Sequence, residues 1–181
     1  TDSWLAESQI DFDSAVWGAP SANEATQYGS SVVYDGKIYL LNGDGFQVYV
    51  PSSGQWYTLT DKDGEGNEDY EYPMVAADKE TLYAFGGLIE EEDTPTNATD
   101  VVQIYDIAID QWYSPGVVLS KARFFGQAVT YQDKIYVIGG RKFDGTNEYY
   151  YDTVDVYDPE TDDWAASIPD IEHPRADFAL E

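Results

Sequence analysis

The stretch DKDGEGNEDYEY, residues 61–72, carries the clearest metal-binding pattern in this sequence. Its D-x-D-G-x-G opening is that of a calcium loop. Asp61, Asp63 and Glu65 alternate, and Gly66 falls where a sharp turn is needed. Asn67 offers a backbone carbonyl and Asp69 a further carboxylate. A hard cation takes about six to eight oxygens, and alternate side chains on a tight loop can converge on one. These five residues are therefore a candidate calcium site. The pattern then departs from the usual one. Glu68 holds a place that is normally apolar, and Tyr72 stands where a bidentate Glu closes the loop, with Glu71 one position early. A solvated acidic turn accounts for the same residues.

Two other stretches carry chemistry-bearing residues. GLIEEEDTPTNATD (87–100) contains four consecutive acids, Glu90 to Asp93, and the glycosylation sequon Asn97-Ala98-Thr99. It reads as a long, solvated loop. GRKFDGTNEYYYD (140–152) gathers Arg141, Lys142, Phe143, Tyr149 and Tyr150. Arg and Tyr are favoured at recognition hot spots, so these five are candidate partner-binding residues. Strand alternation would instead turn two of the three tyrosines 149–151 into packing. His173 is the sole histidine and sits beside Pro174, as a turn residue does; cysteine is absent. Neither a Ser-His-Asp nor a Cys-His arrangement is suggested. Paired carboxylates discriminate nothing in a chain with 35 acids.

Those acids face only 9 basic residues, for a net charge of −26. Such a surface repels nucleic acid and anionic membrane, so neither is expected as a direct partner. A salty environment, divalent cations or a cationic macromolecule would suit it, and so would solubility alone. Hydrophobic residues make up 43%, enough for a folded core. No apolar run approaches the ~20 residues of a membrane helix. An acidic, tyrosine-rich chain without cysteine suits an extracellular or cell-surface setting better than the cytoplasm, the alternative.

What would position these loops is a repeat. Trp4, Trp56, Trp112 and Trp164 recur at intervals of 52, 56 and 52 residues. Tyr49, Tyr105 and Tyr157 each lie seven residues before a Trp, in VYVPSSGQW, IYDIAIDQW and VYDPETDDW. That spacing predicts a strand, a tight turn and a second strand beginning near Trp. Upstream, GSSVVYDGKIYLLNG (29–43), PMVAADKETLYAFGG (73–87) and GQAVTYQDKIYVIGG (126–140) align without gaps. Each is two apolar runs around a polar turn, hence a hairpin. The pairs Gly86-Gly87 and Gly139-Gly140 close two of them and permit positive φ or close backbone approach. One repeat thus holds four short strands, and no segment has a competing helical period.

Four antiparallel strands at a period near fifty read as a β-propeller blade. With its double glycine, Tyr-Asp turn and offset Trp, the repeat resembles the Kelch family over about residues 28–178. The resemblance implies an all-β partial propeller, or part of a larger ring. Blades are expected over 28–60, 73–119 and 124–168. Residues 1–27 would be the end of a preceding blade plus a long linker holding the unaligned Trp17. Residues 173–181 would begin a following blade. Blade one departs by carrying Asn42-Gly43-Asp44-Gly45 in place of the double glycine. Arg123 and Arg175, in KARFF and PRADF, read as repeated structural anchors.

The resulting expectation is a non-enzymatic recognition or assembly module. It would bind a protein or carbohydrate through blade-edge loops, with further blades or a second copy completing the ring. A surface-layer or filament subunit is one alternative; a piece of a propeller enzyme whose catalytic residues lie elsewhere is another. A Kelch-type copper-radical oxidase needs Cys and several His, which this chain lacks, whereas Kelch-like isomerases are not excluded by fold alone. No cofactor is expected apart from calcium.

Overall fold

The computed structural model describes residues 29–42, 45–59, 70–91, 94–165 and 168–179. Among them there are strands and no helix. The first sheet is a meander of β1 (Gly29–Tyr34), β2 (Lys37–Asn42), β3 (Gly45–Val50) and β4 (Gln55–Thr58). Asp35-Gly36 joins β1 to β2 with both φ angles positive, the twist a two-residue hairpin favours. The second sheet contains β5 (Tyr70–Glu71), β6 (Met74–Asp78), β7 (Thr81–Glu91), β8 (Thr94–Asp106) and β9 (Gln111–Tyr113). Its meander is β6-β7-β8-β9, and β5 pairs with the far end of β7.

The third comprises β10 (Gln127–Tyr131), β11 (Lys134–Ile138), β14 (Val154–Asp158) and β15 (Asp163–Trp164). Between its second and third strands a separate hairpin is inserted, β12 (Arg141–Phe143) with β13 (Glu148–Tyr150). These are three blades of a β-propeller.

In each blade the tyrosine of the third strand pairs with the tryptophan of the fourth: Tyr49 with Trp56, Tyr105 with Trp112, Tyr157 with Trp164. The turn between them has a positive-φ residue five places after the tyrosine: Gly54, Asp110 or Asp162. Where it is Asp, the tyrosine hydroxyl donates to its carboxylate, at 2.5 Å for Tyr105 and 2.8 Å for Tyr157. Burial raises the pKa of both phenols, and the carboxylate acceptor raises it further.

Blades stack face to face, because alternate residues of each strand point to opposite neighbours. Tyr39, Leu41, Phe46 and Val48 of blade one bury against Leu82, Ala84 and Tyr105 of blade two. Tyr83, Phe85, Val102 and Ile104 of blade two bury against Ile135, Val137 and Tyr157 of blade three. Phe46 stands edge-on to Tyr105, ring centres 4.6 Å apart, and Phe85 stands edge-on to Tyr157 at 5.7 Å. Each such pair contributes about 0.5–1.5 kcal/mol beyond its buried area. Side-chain hydroxyls add links on the inner side: Ser30 Oγ donates to Pro73 O, and Thr130 Oγ1 to Ala77 O at 2.6 Å.

The double glycines are required by the seams. Gly86 and Gly139 have φ of +62° and +61°. A Cβ on Gly86 would drive into the carbonyl oxygen of Arg123, and one on Gly139 would lie 2.5 Å from that of Arg175. The adjacent amides use those carbonyls: Gly87 N donates to Arg123 O at 3.0 Å, and Gly140 N to Arg175 O at 2.8 Å.

The 87–100 stretch differs from the loop expected from its sequence. Strands β7 and β8 run through it, with Gly87 opposite Thr99, Leu88 opposite Ala98, Ile89 opposite Asn97 and Glu91 opposite Thr94. Leu88, Ile89 and the Thr-rich 94–99 run carry strand propensity that outweighs the acidic run in the sequence. Register shifts after Phe85 and after Ile89 mark bulges. Thr99 is buried, and its Oγ1 accepts from Val101 N.

Candidate recognition surface

The β12–β13 hairpin is built around its turn, Asp144-Gly145-Thr146-Asn147. Asp144 Oδ1 accepts from Thr146 N at 3.0 Å and Asn147 N at 2.8 Å, a local side-chain-to-backbone turn. Gly145, at φ +88°, supplies the left-handed corner. Tyr149 OH donates to Asp144 Oδ2 at 2.8 Å. The Asn147 amide, the Tyr149 hydroxyl and the Thr146 amide together lower the Asp144 pKa to about 2. The tip is therefore a preorganised anionic turn.

Register divides the five partner-binding candidates between two faces. Arg141 lies opposite Tyr150, Lys142 opposite Tyr149 and Phe143 opposite Glu148. Alternation then groups Arg141, Phe143, Glu148 and Tyr150 on one face, Lys142 and Tyr149 on the other. Tyr149 and Tyr150 are 45% and 47% exposed. Tyr150 OH donates to Glu148 Oε2 at 2.8 Å, and Arg141 Nη1 donates to Glu148 Oε1 at 2.6 Å. The Arg141 guanidinium also sits 4.8 Å above the Phe125 ring and 5.4 Å above Phe124, with Asp177 Oδ2 3.8 Å from Nε. Arg141 is thus engaged within the fold, Lys142 and Phe143 are half-buried, and Tyr149 and Tyr150 are the large rings among the exposed residues 144–150.

Beside this hairpin lies the end of the blade-two pair, since β12 packs against β8. On the propeller axis, the inner strands β1, β6 and β10 line a groove of about 510 Å3. Its lining runs over 29–33, 73–77 and 126–130, all uncharged residues, among them Ser30, Ser31, Gln127 and Thr130.

The candidate calcium residues Asp61, Asp63, Glu65, Asn67 and Asp69 lie outside the described residues, as do Trp4 and Trp17. Glu71 falls in β5, opposite Leu88. His173 is exposed, with Glu172 Oε1 3.8 Å away. Arg123 is fully buried; its Nη2 donates to Asp155 Oδ2 at 2.8 Å and to Val137 O at 3.3 Å. Burial pulls its pKa down and Asp155 pulls it back up. Arg175, in the matching context, is exposed, although its backbone carbonyl does the same work as that of Arg123. Sequence reasoning missed Asp144, Glu148, Phe124, Phe125 and Asp177, which hold the hairpin. The Asp-Gly corner was the one visible signal; the others are contacts between distant segments.

The repeated Tyr–Trp pairing, glycine seams and four-stranded order match a known family. The family model described as the Kelch motif matches residues 122–166, which span blade three from its lead-in to Trp164. Residues 122–166 thus carry a Kelch motif, and the chain is similar to Kelch-repeat proteins. Beta-scruin of Limulus polyphemus is 28% identical over 180 residues, 88% of this chain and 18% of its own length. The Kelch-like protein terF of Aspergillus terreus is 26% identical, over 80% of this chain and 33% of its length. An N-acetylneuraminate epimerase of Haemophilus influenzae is 27% identical, over 74% of this chain and 38% of its length. Among solved structures, one titled "Structure of YjhT" superposes with a TM-score of 0.70 at 14% identity, covering 82% of this chain and 53% of that one. The chain thus spans less than two-fifths of these curated relatives and about half of the solved structure.

Proposed function

We propose that this Kelch chain is a non-enzymatic recognition module that binds a protein through the β12–β13 hairpin. The observation that carries this reading is the hairpin itself. Tyr149 and Tyr150 are held out at 45% and 47% exposure on β13, next to a turn fixed by Asp144. Tyrosines contribute large contact area at small entropic cost, which favours them at interfaces. The axial groove, lined in its described part by uncharged residues, supports a binding role better than acid–base chemistry. Further blades or a second copy complete the ring in this reading, since Tyr136 and Ile138 are only half-buried on blade three at the places where blade two buries Tyr83 and Phe85 against its neighbour. Calcium at 61–69 and an extracellular or cell-surface setting belong to the same proposal; the acidity and the lack of cysteine support them.

A photo-crosslinking residue at position 149, carried into an extract of the source cells, tests the reading. The expected result is one protein adduct that disappears when Tyr150→Ala is added. Equal capture by the Tyr150→Ala chain, or crosslinking confined to small saccharides, would overturn it. An epimerase assay with N-acetylneuraminate tests the enzyme alternative, and turnover there would also refute the reading.

A further inference from the structure

We propose that residues 170–178 form a clasp that sets the pose of the β12–β13 hairpin, with Arg141 as its positioning residue. The inference concerns regulation of the proposed recognition surface and rests on that reading for its functional meaning. Both roots of the hairpin are bonded to this one segment. On the entering side, Gly140 N donates to Arg175 O at 2.8 Å. On the leaving side, Arg175 N donates to Tyr151 O at 3.2 Å and Ile171 N to Asp152 O at 2.9 Å. Tyr151 N closes the base by donating to Gly140 O at 2.9 Å. Asp170 Oδ1 accepts from Val154 N at 3.4 Å, just beyond the hairpin.

Arg141 joins the clasp to the hairpin through side chains. It touches Glu148 on the hairpin, Phe124 and Phe125 on the lead-in to blade three, and Asp177 on the clasp. Asp177 N in turn donates to Phe125 O at 2.9 Å. One guanidinium therefore connects three segments that are far apart in sequence. Its planar fork and stacking surface suit that task, and a lysine would supply only part of it.

The same device is built once already. Across the seam between blades two and three, Gly87 N donates to Arg123 O, Arg123 N to Thr99 O, and Leu119 N to Asp100 O. There the 119–123 segment grips the roots of the β7–β8 extension and runs on into β10. Residues 171–175 repeat this on blade three, donor for donor. Each projecting hairpin is thus posed by the segment that follows it, and engagement of a partner at one hairpin is linked to the docking of the next segment. Ordering the clasp removes alternative hairpin poses, so a ligand selecting the clasped pose binds more tightly when the clasp is closed.

Hydrogen–deuterium exchange on the whole chain tests this without any partner. Arg175→Pro removes the amide that bonds Tyr151 O. The expected result is exchange at 140–151 faster by at least about tenfold, with amides of β10 and β11 unchanged. Arg141→Met should accelerate the same hairpin amides, and Arg141→Lys should recover part of the protection. Unchanged hairpin exchange while the Asp177 amide is freed would overturn the proposal. Uniform acceleration across blade three would overturn it too, since the segment would then be general scaffold. Clasp behaviour as expected beside unaltered partner capture by Tyr150→Ala would sink the recognition reading and leave the clasp standing.

Discussion

Substituting Gly86 with Ala measures how much the seam between blades two and three depends on a missing side chain. Gly86 has φ +62°, a conformation costing an L-residue about 1–2 kcal/mol. The added methyl would also collide with the Arg123 carbonyl oxygen and press on Leu119 Cδ1 and Met74 Cε, each 3.1 Å away. The two side chains can yield, but the carbonyl belongs to backbone that accepts from Gly87 N. Displacing it loses that bond, about 1 kcal/mol more. Gly36 supplies the control: φ is +69° and nothing lies within 4 Å of its Cβ position. Gly86→Ala should therefore lower stability by at least about 1 kcal/mol more than Gly36→Ala. For a chain of this size that is about 2–4 °C in Tm. Thermal unfolding followed by circular dichroism, with both variants side by side, gives the answer. Equal shifts would show that the close approach at the seam is not what the double glycine serves.

Four further outcomes are expected. Tyr157→Phe, which removes the donor to Asp162, should cost about 1 kcal/mol in chemical denaturation; Tyr49→Phe, with Gly54 at the corresponding place, should cost close to nothing. Asp144 titrates at about 2 in the folded chain against an ordinary 3.8, so its stabilising effect is complete above about pH 4 and disappears as pH falls toward 2. Nuclear magnetic resonance of the Thr146 and Asn147 amides should report that loss, and Asp144→Asn should abolish the dependence. Sodium chloride should raise Tm by screening the net charge of −26. If the 61–69 loop holds calcium, millimolar Ca2+ will add a gain that Mg2+ at equal ionic strength does not, and Asp61→Ala or Asp63→Ala will remove it.

The sequence by itself determined the repeat. Tyr and Trp seven residues apart can pair only across a tight turn, and period-two apolar runs with positive-φ residues between them leave little besides hairpins. The Kelch resemblance and the all-β propeller followed from those local rules. Tertiary structure alone decided what the projecting segments do. Residues 87–100 read as loop because their acids dominate composition, yet pairing of Leu88 and Ile89 with Ala98 and Asn97 extends the sheet. Arg141 read as a ligand-binding cation because its type is favoured at interfaces. In the fold it is stacked on Phe124 and Phe125 and paired with Glu148 and Asp177. Such contacts join segments seven to thirty-six residues away. Local pattern fixes dihedrals and faces; which distant carbonyl, ring or carboxylate meets a given side chain is set only when the blades close against one another.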